Sequence, residues 1–432
     1  MSSLSEAYKV PSLKKKLWFT FLIVSACVVL SLVPVPFLSH SGAAAEVLKW
    51  GDTGVLMNVL SFSALGNGAV TSLGIYPFLI ASIAMQIITI AVPKLRDIAM
   101  KGEEGAKVIG KYTRFASLGM DVIFAVLFTV GMRNVLISTF NFWVAAVVVT
   151  ITVAAGGALC GWFVELINDK GVGSGVSILI IAAVIRAIPE YFIGLFSNNE
   201  LTAAIIWTAA VIVICLVLIV FALFVNSGEK KLRILFSKKT VGMKQYGMQN
   251  QVIPLRVAQA GIMPIVYAFS ITLLPAIIIA MVSDGTENPI SAGFVNFKTS
   301  AVFYVVFAML IIGFTSFFSM IQFNPIDMAN QIKQYGGYIQ GIRPGKPTSQ
   351  YMMNTYTNMN IADAAYLLII CLIPLLLSLI PVLGPASYIG IVSVMVAGGI
   401  YETKLFLDQK VKEEADRVKQ AGREAKKNKY AK

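Results

Sequence analysis

Charge is scarce in this chain. Only 13% of its 432 residues are Asp, Glu, Lys or Arg, while 57% are hydrophobic. That balance excludes a soluble globular protein. Histidine is almost missing, with His40 alone, so neither a histidine metal site nor a histidine proton relay is available. Cysteine is sparse too. Cys27, Cys160, Cys215 and Cys371 each fall in a different apolar run, without metal-ligand spacing, and read as small helix residues. No grouping of Asn, Cys, His and Asp suggests a hydrolase. No Walker-type loop occurs. Gly171-Val172-Gly173-Ser174-Gly175 has the look of a phosphate loop, but it joins two apolar runs rather than a strand and a helix, so it reads as a tight turn.

What is present is apolar length. Ten runs stand out, at about 17–38, 75–93, 113–137, 141–167, 176–196, 201–226, 258–282, 300–323, 361–381 and 386–406. A helix needs about 20 apolar residues to cross a bilayer. The first run follows Lys14, Lys15 and Lys16, as in a signal peptide. It is longer than a typical signal core, and Val33-Pro34-Val35-Pro36 ends it without a small-residue cleavage site, so it is expected to be a retained span. Let ten spans alternate from a cytoplasmic N-terminus. Of the 35 lysines and arginines, all but Lys49, Arg133, Arg186 and Lys298 then fall on the cytoplasmic side. This positive-inside bias puts both termini in the cytoplasm and makes the net charge of +13 a topology signal rather than a nucleic-acid one.

One stretch departs from simple spanning. Val55–Phe62 is apolar but too short to cross, Ser63–Gly74 is a glycine-containing break, and Ile75–Val92 is a clean span stopped by Pro93. Half a helix at membrane depth is tolerated only inside protein or along a cavity, so this stretch points to a pathway. Two polar connections on the cytoplasmic side, 227–257 and 324–360, are long enough to suggest a docking surface. The charged tail from Leu407 reads as a solvated helix or as disordered chain beside headgroups. Ten spans split five and five, and an odd number per half inverts the second half. Asp121 sits inside the third run, with Arg114 two turns earlier, and is expected to have a structural or interfacial role. Gly157 and Gly161 make a G-x-x-x-G step that permits close helix approach.

Three segments taken together carry a resemblance. The first runs from Leu73-Gly74-Ile75-Tyr76-Pro77-Phe78 through Gln86 and Gly102-Glu103-Glu104-Gly105 to Lys111-Tyr112-Thr113-Arg114. The second runs from Ile253-Pro254-Leu255-Arg256 to Gln259-Ala260-Gly261-Ile262-Met263-Pro264. The third runs from Phe323-Asn324-Pro325 through Gly336-Gly337-Tyr338 to Gly341-Ile342-Arg343-Pro344-Gly345-Lys346-Pro347. In order and spacing, from about Pro11 to Glu402, the chain resembles the SecY family, the channel subunits of the Sec protein translocase.

The resemblance implies an all-α polytopic membrane protein. Ten transmembrane helices would form two inverted, pseudo-symmetric halves, with a short plug half-helix at about 55–65. It divides the chain into a cytoplasmic segment 1–16, halves 17–196 and 197–406, and a tail 407–432. The plug would comprise Val55, Leu56, Met57, Asn58, Val59, Leu60, Ser61 and Phe62. A ring of apolar side chains would seal the waist: Leu79, Ile83, Ile180, Val184, Val266 and Ile391, or Ile389 in place of the last. Leu79/Ile83 and Ile180/Val184 are i,i+4 pairs on one helix face, and an apolar constriction gates by dewetting. Without the resemblance all six would read as ordinary lipid-facing or core residues. Gln86, Thr113 and Gln259 would be polar contacts of a lateral gate between the second and seventh spans. Arg343, Lys346, Lys230, Lys231, Arg233, Lys238, Lys239 and Lys244 would form the docking face. The implied partners are the membrane subunits SecE and SecG, the SecA ATPase, the ribosome, and secretory preproteins with their signal sequences. The implied location is the plasma membrane, and no cofactor and no enzymatic activity are expected.

Four residues, at three places, depart from the family pattern. Phe62-Ser63-Ala64 stands where Gly-Gly-Ala is common. Ala258 replaces an Asn, and Phe37 closes Val33-Pro34-Val35-Pro36-Phe37 where a Gly is usual. The rival reading is an ion-coupled transporter of small solutes. It is disfavoured by the scarcity of intramembrane charge and by the large basic loops.

Overall fold

The computed structural model describes residues 11–49, 51–99, 101, 103–137, 141–198, 201–236, 239–241, 244–246, 251–258, 260–261, 263–282, 301–322, 325–334, 337–343, 345–377 and 398–411. It is built of helices with, among the described residues, a three-stranded sheet and a two-stranded one. In chain order α1 is Pro11–Leu30, α2 His40–Lys49, α3 Gly51–Leu60, α4 Tyr76–Ala91, α5 Pro93–Ala99, α6 Glu103–Gly131, α7 Phe142–Lys170, α8 Gly175–Asn198 and α9 Leu201–Asn226. Then follow β1 Glu229–Phe236, β2 Lys239–Val241, β3 Lys244–Tyr246, β4 Gln251–Arg256, α10 Met263–Val282, α11 Ala301–Gln322, α12 Pro325–Gln334, β5 Gly337–Ile339 and α13 Lys346–Leu377. Residues 398–411 form α14.

Among the described residues, α6, α7, α9, α11 and α13 are long and apolar enough to cross a membrane. A sixth is the pair α4 and α5, bent by 105°. The bend falls at Val92-Pro93, where proline supplies no N–H to continue the ladder. Several helices begin before their apolar run. Helix α1 starts at Pro11 rather than Leu17, α6 at Glu103 rather than 113, and α13 at Lys346 rather than 361. Apolarity marks the depth of the membrane, whereas Lys, Glu and Gln propagate a helix just as well in water. At the other end, α1 stops at Leu30, before Pro34 and Pro36, and not at 38.

The chain falls into two compact units. Met1–Ala210, Ser270–Lys298 and Met395–Lys432 make the first; Val211–Phe269 and Thr299–Val394 make the second. In the first unit a row of small residues on α7 lets its neighbours approach. A Cβ at Gly156 would strike the Val70 carbonyl, one at Gly157 would strike the Asp121 carboxylate, and one at Gly161 would lie 3.2 Å from Phe78. The G-x-x-x-G step thus seats two different elements.

In the second unit, the segments expected to be long polar connections carry strands. The sheet order is β4-β1-β5, all antiparallel. Glu229 pairs with Arg256, and Ile234 pairs with both Gln251 and Ile339. Residues on β1 alternate, with Leu232 and Ile234 buried and Lys231 and Arg233 exposed, as a strand with one covered face requires. The buried set packs with Leu255, Ala329, Ile332, Ile339, Met352 and Met359. Helices α12 and α13 therefore cover the sheet. Pro254 is accommodated because β4 is an edge strand.

Candidate functional site

The short helix α3 ends in an unusual way. Ser63 donates its N–H to the Asn58 carbonyl at 2.8 Å, and Phe62 donates to Val59 at 3.2 Å. This pair of bonds is the Schellman closure, whose left-handed residue is usually glycine. Here Phe62 has φ 60 and Ser63 φ 56. With Phe37, at φ 63, they are the non-glycine residues of positive φ among the described residues. These are three of the positions at which the chain departs from the glycines expected of its resemblance. A left-handed L-residue costs about 1–2 kcal/mol. Phe62 is fully buried, which contributes about 1.5–3 kcal/mol, so burial outweighs the strain at that residue. At Ser63 a buried hydroxyl offers no such compensation.

The break that follows is tied down along its length. Leu65 N–H donates to the Ser61 hydroxyl at 3.1 Å, and Gly66 N–H donates to the Asn58 side-chain oxygen at 2.8 Å. Val35 donates to the Gly68 carbonyl and Val70 to the Val33 carbonyl, both at 2.9 Å. Gly74, at φ 57, brings the chain back beneath α3, where a Cβ would lie 2.5 Å from the Leu60 carbonyl oxygen; only glycine fits there. Helix α3 also packs on α8, and Arg186 of α8 donates its Nε–H to the Phe62 carbonyl at 3.1 Å.

Helix α4 leaves this break with one end covered and the other open. Tyr76 through Ile83 are buried, while Ile87, Ile88 and Ile90 are exposed. The Tyr76 hydroxyl donates to the Ser270 carbonyl of α10 at 2.8 Å, and its ring meets Phe124 edge-on. Leu79 and Ile83 on α4 and Ile180 and Val184 on α8 are all buried in the first unit. Val266, on α10, is buried in the second. Ile389 and Ile391 lie outside the described residues, as does Gln259. Gln86 sits half-buried where α4 passes from covered to open. Thr113 donates its hydroxyl to Ile109 of its own helix at 3.0 Å.

Of the residues expected to form a plug, Met57, Leu60, Ser61 and Phe62 are buried and Asn58 and Val59 half-buried. Val55 and Leu56 lie on α3. Asp121 is buried against Gly157, and neither of its oxygens meets a hydrogen-bond partner among the described residues. Arg114 pairs instead with Glu165, at 3.6 Å.

The basic residues of the second unit lie on its strands and on the loop before α13. Lys230, Lys231 and Arg233 are exposed on β1, with Lys231 beside Glu229 at 3.1 Å. Lys239 and Lys244 lie on β2 and β3, and Lys238 is outside the described residues. Arg343 is exposed between Gly341 (φ 82) and Gly345 (φ 104), and its carbonyl accepts from the Thr348 hydroxyl at 2.8 Å. Lys346 opens α13, exposed. Helix α13 also carries polar groups inward. Tyr356 donates to the Ser319 carbonyl at 2.5 Å, Asn226 donates to the Tyr366 hydroxyl at 3.0 Å, and Asp363 accepts the Ala260 N–H at 2.9 Å.

Arg186 and Asp363 escaped the sequence reading. Asp121 was taken as the exception among apolar runs, yet Arg186 lies inside 176–196 and Asp363 inside 361–381. A charge within a run was the available signal.

Comparison with known proteins places this arrangement. A structure described as a protein-conducting channel matches with a TM-score of 0.60 at 16% identity, over 94% of this chain and 92% of that one. Sec61 from the canine ribosome-channel complex of the endoplasmic reticulum matches with a TM-score of 0.57 at 16% identity, over the same shares. The fold is that of the protein-conducting channels. A family model for SecY matches residues 69–403. The protein translocase subunit SecY of Halalkalibacterium halodurans is 30% identical over 418 residues, covering 92% of this chain and 94% of that one. That of Thermotoga maritima is 29% identical over 405 residues, 91% of each. The chain belongs to the SecY family.

Proposed function

We propose that this chain is the pore of a general secretory translocase, passing unfolded preproteins across the plasma membrane and releasing apolar segments sideways into lipid. The observation that carries this reading is α3. It is a helix of 10 residues, too short to span, folded onto α8 and held there by its own break, within a chain of the SecY family. Such a half-helix suits a plug. Leu79, Ile83, Ile180, Val184, Val266 and Ile391 would form the seal, an apolar lining that excludes water and ions yet grips no passing peptide. Helices α4 and α10 would be the walls of the lateral gate.

Ten spans with cytoplasmic termini, in the halves 17–196 and 197–406, would set the strands and the Arg343 loop of the second half on the cytosolic face. Arg343, Lys346 and the basic residues around β1 to β3 suit an acidic partner or ribosomal RNA. SecE and SecG would complete the membrane part. SecA or a translating ribosome would supply the driving force, since the chain itself has no nucleotide loop. The small-solute transporter finds no support among the relatives. Reconstitution with SecE and SecA tests the proposal. Added ATP should protect a secretory preprotein from external protease; protection that does not depend on this chain would refute it.

A further inference from the structure

We propose that Arg186 is a positioning residue that clasps the plug shut, an inference that rests on the channel reading above. Its Nε–H meets the carbonyl of Phe62, 124 positions away. Phe62 is the left-handed residue that closes α3. A helix leaves its last carbonyls unpaired and its C-terminal end negative. The Phe62 carbonyl lies just past that end, so the Arg186 guanidinium meets an acceptor beside the negative pole of the dipole.

The placement of Arg186 on α8 separates this role from the seal. Leu179, Ala183 and Arg186 recur at i, i+4 and i+7 and so share one helical face, whereas Ile180 and Val184 lie on another. Arg186 can therefore hold the plug without lining the path. Its partner segment is strained, because Phe62 and Ser63 adopt successive left-handed conformations without glycine. Such an end springs open more readily than a glycine one, and a clasp from α8 compensates.

The test uses the SecE-assembled channel in planar bilayers, with a spin label on Asn67→Cys in a background free of native cysteines. Asn67 is exposed within the break. A charged hydrogen bond of this kind shifts the open-to-closed ratio roughly ten- to hundredfold, so Arg186→Ala should raise resting current by that order and mobilise the label. Arg186→Lys restores a cationic donor and should recover part of the closure. Adding Ser63→Gly to Arg186→Ala should recover part of it by relieving strain. A leak-free Arg186→Ala channel with an immobile label overturns the clasp. So does an Arg186→Lys channel as leaky as Arg186→Ala. If Arg186→Ala does not assemble with SecE, Arg186→Lys and Arg186→Gln decide: Lys should leak less than Gln, and equal leaks overturn the proposal. Wild-type channels that translocate while the variants stay sealed refute only the clasp, whereas wild-type channels that never translocate refute the channel reading.

Discussion

The Asp363 carboxylate on α13 accepts the backbone N–H of Ala260 at 2.9 Å, across 103 positions of sequence. Both residues are buried. Ala260 belongs to the short lead-in to α10, whose other end is tied where Val257 donates to the Gly228 carbonyl at 2.9 Å. The lead-in is thus held to the sheet on one side and to α13 on the other.

Loss of that acceptor strands a buried N–H. Asp363→Leu should destabilise the detergent-solubilised protein by about 1.5–3 kcal/mol, whereas Asp363→Asn, which keeps an acceptor oxygen, should lose less. Hydrogen exchange at the Ala260 amide reads the bond directly. Slow exchange at Ala260 in the Leu variant would contradict the assignment.

Tyr76→Phe should loosen the junction of α4 with α10. It removes one hydrogen bond, to Ser270, worth about 0.5–1.5 kcal/mol, and leaves the ring in place against Phe124. Marginally apolar segments should then partition into lipid about fivefold more often. The measurement is glycosylation or protease mapping of a graded series of test segments. An unchanged partition threshold would count against a gating role for this contact.

The proposed apolar seal has its own test. Ile83→Asn combined with Ile180→Asn should wet the constriction and raise the resting ion conductance, since dewetting depends on an apolar lining. Both side chains are buried on their helices. Bilayer recordings with an unchanged closed state would show that they are ordinary core residues.

Arg343→Glu should leave folding and SecE assembly intact, because the side chain is exposed and its own backbone is held by Thr348. SecA-driven translocation should fall to background. Arg343→Lys should keep partial activity, since the ammonium keeps the charge but not the forked geometry of the guanidinium. Higher salt should weaken docking of the wild type. Wild-type translocation rates in Arg343→Glu membranes would remove this loop from the docking surface.

Much of the architecture was written in local pattern. The run at 201–226 coincides with α9, and the run at 300–323 with α11, because a long uninterrupted apolar segment has helix as its one stable form in lipid. The break after α3 was legible for the same reason: Val55–Phe62 is too short to cross and Gly74 follows. The strands of the second unit were not read. Their alternation over Lys231, Leu232, Arg233 and Ile234 is brief and polar, and only pairing with β4 and β5 gives it meaning.

Composition, hydropathy and motif order therefore determined by themselves that this chain is a SecY-type membrane protein with a half-helix before its second span. These are properties of neighbouring residues and of their solvent. Tertiary structure alone decided which buried polar groups meet. Arg186 reaches Phe62, and Asp363 reaches Ala260. Each pairing joins elements distant in sequence, and nothing in the local pattern around one partner encodes the other. It is chosen when helices pack and a buried donor must find whichever acceptor the packing brings within reach.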